Sequence, residues 1–452
     1  MSDTLDNRMG SMPVGRLLAR MSLPMMLSFF IQALYNIVDS IFVARLSEDA
    51  LTAVSLAFPM QMGMHAIAVG MGVGINAGVP RAIGEGNRSR AGKITGNAVT
   101  LDVLFILLFL VLSRFSNAIY AAQTDVSAIV TGGTTYLSIL WMVSEGEFFG
   151  QLFEKLLVCT GRPVLAMTSQ ALGAVFNIVF DPLLIFGIGP SPRLGIAGAA
   201  IATVLGQVLG AVTALVMNLL LNHAVKVRAS DFVPSGSAVT EILSVGFPSM
   251  VTIGLSSLSS FLINQILLTY STTATAVYGI WAKLQNFCYM PVFGMNNGMV
   301  PILSYNHAAG KTDRVRKTFS LALSVIVCLE AVLFLVLFRI PGELLTLFDA
   351  SDNMRSIGIP ALRICLVSLP FGGATIIMTT AMQSLRHASY ALAGNILRQF
   401  VFLYAAFSLL SAMTHSLSLI WVAVPLSEVL SFVSAMILML FMRRELLGQR
   451  KE

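Results

Sequence analysis

Two carboxylates stand where a carboxylate is costly. Asp39 lies in LPMMLSFFIQALYNIVDSIFVARL and Asp181 in NIVFDPLLIFG, both with apolar residues on either side. An ionisable group at membrane depth is expensive and defaults to a functional reading. Burial disfavours the charged form of a carboxylate, and a second carboxylate nearby disfavours it further for one of the two. Such a pair can load a proton on one side of a membrane and release it on the other. The same oxygens, joined by those of Asn177 and Thr203, can coordinate a desolvated sodium ion. Asn177 precedes Asp181 by four residues and shares its helix face. The expected ion-coupling set is therefore Asp39, Asn177, Asp181 and Thr203. The plainer alternative is that Asp181 only closes its helix before Pro182 and that Asp39 faces external water.

Other polar residues form a weaker set. Gln32 and Asn36 continue one polar stripe with Asp39. Gln61, Met64, Lys283, Asn286, Tyr289 and Met290 are candidates for a substrate cleft, since methionine suits promiscuous binding. Arg398 and Glu428 fall at similar depth and are expected to form a structural ion pair. Lys283 either pairs with Glu330 or faces the cleft. Glu145, Glu147 and Glu154 are read as partners for Lys155 and lipid headgroups rather than as cargo attractors. His65 alone is too little for a metal site or a proton relay. No cofactor is expected, and no metal beyond a sodium ion at the coupling residues.

These residues need elements to hold them, and composition says which kind. Only 11% of the 452 residues are charged, 56% are hydrophobic and the mean hydropathy is +0.82. A soluble domain carries roughly 25% charged residues, so a soluble enzyme or a nucleic-acid binder is excluded despite the net charge of +6. A spanning helix needs about 20 mostly apolar residues. Twelve such stretches lie near 20–45, 52–80, 94–113, 131–157, 163–187, 196–222, 240–268, 275–303, 318–340, 356–382, 388–410 and 416–441. Continuous apolar runs exclude a transmembrane barrel. Asp39, Asp181 and Thr203 each fall about six or seven residues from the same end of their spans.

Lysine and arginine alternate in density from loop to loop. Twenty of the 28 cluster at one set of span ends and six at the other, with Lys283 and Arg398 inside spans. The positive-inside rule puts both termini in the cytoplasm of a multi-pass plasma (inner) membrane protein. No removable signal peptide is read at the N-terminus. The four cysteines read as apolar core residues.

The chain also repeats. An offset of 224 pairs Pro24 with Pro248, Gln61 with Gln285, Gly74 with Gly298, Gly86 with Gly310, Arg90 with Arg314, Lys93 with Lys317 and Arg162 with Arg386. Six spans per half is even, so the halves enter from the same side and form a parallel repeat. The fold expected is an all-α integral membrane protein of twelve transmembrane helices in two six-helix lobes. Its divisions are a cytoplasmic N-terminal segment 1–19, an N-lobe 20–222, a linker 223–239, a C-lobe 240–441 and a tail 442–452. Pro24, Pro59, Pro182 and Pro248 are candidate bending points.

With these motifs assembled, the chain resembles the multidrug and toxic compound extrusion (MATE) transporters, in particular the bacterial MepA-like and DinF-like branch. The resemblance rests on the two segments quoted above, on LGIAGAAIATVLGQ opening the sixth span, and on VPILSYNHAAGKTDRVRK after the eighth. It covers about residues 20–442. It implies a monomeric antiporter that exports small amphipathic organic compounds, mainly cations, against a proton or sodium gradient by alternating access. It points to the same four positions as the coupling site. One departure stands out: acids that sodium-coupled branches carry inside spans 7 and 10 are missing here, which places ion coupling in the first lobe. Partners are then the lipid bilayer and the cargo, with no nucleic acid. Rival readings are a flippase or exporter of a lipid-linked or narrow metabolite, a polytopic membrane enzyme, and a channel. The absence of a P-loop, a GxSxG and clustered His/Cys sets disfavours an ATP-driven pump or a hydrolase.

Overall fold

A computed structural model describes residues 9–189, 191–348, 351–414 and 416–441. Among these residues the secondary structure is helical, with no strand. The N-lobe runs α1 (Val14–Ala44), α2 (Glu48–Gly84), α3 (Arg88–Leu112), a broken α4 (Ser127–Met142 and Glu145–Cys159), α5 (Pro163–Phe186) and α6 (Ile196–Leu221). The C-lobe runs α7 (Gly236–Leu268), α8 (Thr272–Ala308), α9 (Thr312–Arg339), a broken α10 (Asp352–Leu366 and Leu369–Ser384), α11 (Ala388–Thr414) and α12 (Leu417–Phe441). Nine of these helices are long and apolar enough to cross a membrane, ten with the bent α10. The remaining two are α8, which is rich in amides, and α4, whose two halves are each shorter than a span.

The repeat is written into the element ends. Helices α2 and α8 both have 37 residues. Ser47 caps the first by accepting from the Ala50 N–H at 3.0 Å, and Ser271 caps the second by accepting from Ala274 at 3.0 Å. Gly86 and Gly310 both take a positive φ just past these helices, where a side chain would be strained. The breaks in α4 and α10 fall at Val143–Ser144 and Val367–Ser368, which are the same register at the 224 offset.

The lobes meet through α1 and α2 of one against α8 and α7 of the other. Glycine permits the approach on both sides of the pseudo-two-fold: a Cβ on Gly74 would lie 2.5 Å from the Ile242 carbonyl oxygen of α7, and one on Gly298 would lie 2.8 Å from the Ser22 nitrogen of α1. The cross-lobe hydrogen bonds and ion pairs described below gather on the half of the molecule nearer the described chain ends and the basic loops. We call that side the basic face. Toward the other face, Leu34, Ile37 and Ile41 on α1 are exposed.

Two expectations change. Helices outrun their apolar stretches, because polar residues continue the hydrogen-bonded ladder into the interface: α3 starts at Arg88 rather than 94, α9 at Thr312 rather than 318, and α1 at Val14 rather than 20. The linker is not a free polar segment. Asn97 of α3 donates to the Asp231 and Val233 carbonyls at 2.9 and 3.2 Å and accepts from the Ser235 N–H at 2.6 Å, while Thr100 donates to the Phe232 carbonyl at 2.7 Å. It straps the N-lobe before α7 begins at Gly236, four residues earlier than expected. Pro24, Pro59, Pro182 and Pro248 all sit within continuous helices. The tail 442–452, the start of the N-terminal segment and the basic residues Arg8, Arg443, Arg444, Arg450 and Lys451 lie outside the described residues.

Candidate functional site

Helices α5 and α6 bring three of the four expected coupling residues together. The Asn177 amide donates to Asp181 Oδ1 at 3.3 Å and lies 3.4 Å from Thr203 Oγ1. Asp181 is 0% exposed. Asp39, on α1, is near enough to interact with it. Asp39 Oδ1, Asn177 Oδ1 and Asp181 Oδ2 are buried with no hydrogen-bond partner. Three unsatisfied oxygens on neighbouring side chains are costly unless something positive joins them. A proton or a small cation supplies what they lack.

Asn177 and Thr203 reach a cavity of about 90 Å³ inside the N-lobe, lined also by Tyr35, Glu147, Glu154 and Gln207; Asp39 and Asp181 stand behind its wall. Glycines on α4, α5 and α6 make the room: Gly146, Gly150, Gly173, Gly206 and Gly210 all line it. Ninety cubic ångströms holds a few waters or an ion, not an organic cargo. Glu147 accepts from Gln207 at 2.9 Å and meets His65 Nδ1 at 2.7 Å. Glu154 accepts from the Gln170 amide at 2.5 Å.

A second cavity of about 490 Å³ lies between the lobes, within the size range of small-molecule sites. Its wall mixes aromatic rings (Phe29, Tyr278, Trp281, Tyr289) with amides and hydroxyls from both lobes. Gln32, Gln151 and Gln170 line both cavities and form the partition between them. On the C-lobe side, Arg398 makes a two-point ion pair with Glu428, both contacts at 2.8 Å, and its guanidinium lies over the Tyr289 ring. The backbone beneath it takes a π-helical turn over Leu397–Phe402, a local form that often accompanies function.

The floor of this cavity is where the lobes close. Lys155 donates to Asn297 Oδ1 at 2.5 Å and the Asn76 amide to the Asn297 carbonyl at 3.3 Å. One layer further toward the basic face, Glu241 of α7 receives Arg81 at 3.4 Å and Arg90 at 2.7 Å. Arg81 also donates to the Ser384 carbonyl at 3.2 Å, and Arg386 reaches Glu85 at 2.8 Å. This charged lattice crosses the lobe boundary through four contacts.

The expected cleft residues therefore divide. Gln32, Asn286 and Tyr289 line the central cavity. Gln61 instead donates to the Tyr136 hydroxyl at 3.1 Å, and Met64 is buried in the N-lobe core. Asn36 is exposed, and its carbonyl serves Ser40. Met290 is half-buried and does not line the cavity. Lys283 is exposed, with its ammonium over the Phe348 ring, and forms no ion pair with Glu330; both Glu330 oxygens are buried without a partner. Two misplacements matter more. Glu147 and Glu154 face the N-lobe cavity; their seven-residue spacing, with Gln151 between, puts them on one helix face. Lys155, counted with the basic loops, is a buried lysine at the lobe boundary, because α4 continues to Cys159 and points this side chain inward.

A family model described as MatE matches residues 24–183 and 248–405, two copies whose starts differ by the same 224 residues. A FAD transporter of Shewanella oneidensis is 27% identical over 407 residues, 86% of each chain. The multidrug export protein MepA of Staphylococcus aureus is 24% identical over 439 residues, 96% of this chain and 95% of that protein. Among solved structures, a MOP superfamily transporter from Pyrococcus furiosus, described as having a binding pocket of reversed polarity, superposes with a TM-score of 0.89 at 23% identity over 100% of both chains. A multidrug resistance MATE transporter in an outward-facing conformation superposes at 0.88, with 23% identity and 96% of each chain covered. With the family model spanning both lobes and relatives matching along nearly the whole length, this multi-pass membrane protein belongs to the MATE family, on its MepA-like side.

Proposed function

We propose that the protein is a secondary antiporter that exports amphipathic organic compounds, cations by preference, in exchange for a proton or sodium ion. The carrying observation is the partition: an ion-sized pocket, lined by the carboxylates Glu147 and Glu154 and by Asn177 and Thr203 beside Asp181, shares Gln32, Gln151 and Gln170 with a cargo-sized cavity. Occupancy of one chamber then alters the wall of the other, which is the requirement for exchange. With both termini in the cytoplasm of the plasma membrane, the closed floor is the inward side of the carrier. The chain acts as a monomer and needs no cofactor.

The test is efflux of a fluorescent organic cation from energised cells, with proton and sodium gradients collapsed separately. Export that stops with one gradient, and stops in Asp39→Asn and Asp181→Asn, supports the reading and names the ion. Undiminished export by both variants sinks it. A second reading, export of a narrow anionic metabolite, is favoured by Lys155 and Arg398 in the cavity wall and by the likeness to a FAD transporter. Proteoliposomes that move no organic cation but take up a flavin nucleotide would select it.

A further inference from the structure

The consecutive residues Glu154 and Lys155 carry opposite charges and face different chambers. Glu154 lines the N-lobe cavity, and Lys155 lines the central one. Both are 6% exposed. The lysine stem passes Gly72 of α2, where a Cβ would come within 2.9 Å of Lys155 Cγ, so only a glycine leaves this route open. Its acceptor is fixed in orientation: the Asn297 amide nitrogen donates to the Phe293 carbonyl at 2.9 Å, which turns Oδ1 toward Lys155. The titratable groups around the ammonium are Glu154 on its own helix, His65 of α2 and Glu147, which His65 contacts; α5, α6 and α8 contribute the amides Gln170, Gln207 and Asn297. Asn297 carries no charge, so the compensation for this buried ammonium comes from the N-lobe acids.

We propose that Lys155 converts ion loading into opening of the floor. The inference rests on the N-lobe ion pocket of the preceding reading. While Glu154 is anionic, the buried ammonium is compensated and the floor stays closed on Asn297. When a proton or a cation in the N-lobe cavity neutralises that acid, the ammonium is left buried without compensation. Parting the lobes at the floor hydrates it. Loading from the open side thus favours opening on the other, the direction that antiport requires, and the empty carrier stays shut.

The experiment places spin labels at Ser89 and Arg316, exposed positions near the basic-face ends of α3 and α9, with Cys328 replaced, in protein reconstituted into nanodiscs. Interlobe distance is measured by electron–electron double resonance at high pH without sodium, at low pH, and with sodium. In the otherwise unsubstituted chain, loading raises the separated population about tenfold, within the usual range of allosteric coupling. Glu154→Gln is already separated without ion. Lys155→Met gives one distribution under every condition, and Lys155→Arg restores the response. A Lys155→Met protein that responds like the parent overturns this inference and leaves the ion pocket standing. A parent chain that exports cargo yet shows no response to either ion overturns the exchange reading as well.

Discussion

Both lobes bury acids at membrane depth, but they neutralise them differently. In the N-lobe, Asp39 and Asp181 have unsatisfied oxygens and no basic side chain bonded to them. In the C-lobe, Glu428 is permanently held by Arg398. The helices concerned are related by the repeat: Arg398 stands at the register of Ala174 on α5, one turn from Asn177. One lobe thus has carboxylates without a counter-charge of its own, where the other has a cation tethered to its own backbone. On the proposed exchange, the duplicated scaffold would move an ion only where the counter-charge is not covalently supplied. The contrast is not total, since each lobe also holds one partnerless buried acid on its third helix, Asp102 in α3 and Glu330 in α9.

The difference can be broken. Asp181→Asn is expected to lower gradient-driven efflux by about a hundredfold, with folding intact by size-exclusion chromatography; a variant within twofold of the parent removes the distinction between the lobes. Arg398→Met leaves Glu428 buried and unpaired. It should cost about 3–5 kcal/mol in thermal unfolding in detergent, most of it recovered in the double variant with Glu428→Gln. No recovery would mean that the ion pair matters for something besides charge balance. Glu241→Gln strands Arg81 in the floor and should weaken lobe closure by about 1–3 kcal/mol, read as increased labelling of a reporter cysteine beneath it. The smallest effect sharpens the comparison from the other side. Ser47→Ala and Ser271→Ala remove the two symmetric helix caps and should each cost about 1 kcal/mol, equally within error. Unequal losses would show that the halves differ even in their scaffolding.

Span number and the repeat were legible because apolar runs and turn glycines are local signals. The Asn177–Asp181 face was legible for the same reason: four residues is one helical turn. What local spacing hides is a partner far along the chain. His65 meets Glu147 across 82 residues and Lys155 meets Asn297 across 142, so neither contact could be read from a window. Lys155 also stands one turn before the end of its helix at Cys159, and charge counting assigns such a residue to solvent. Lys283 failed in the opposite sense: it lies in the middle of an apolar stretch, yet its helix turns that face outward. Met64 belongs to the core because methionine follows local packing rather than a role.

The break at Ser144 and Ser368 occupies one register in both halves. The carboxylate pocket and the Arg398–Glu428 pair each occupy only one. A trait shared at matching positions is inherited from a single six-helix ancestor, and a trait found in one copy is a later acquisition. The broken fourth helix is therefore the older invention, and the unpaired acids of one half and the ion pair of the other were fitted afterwards to a half that already existed twice.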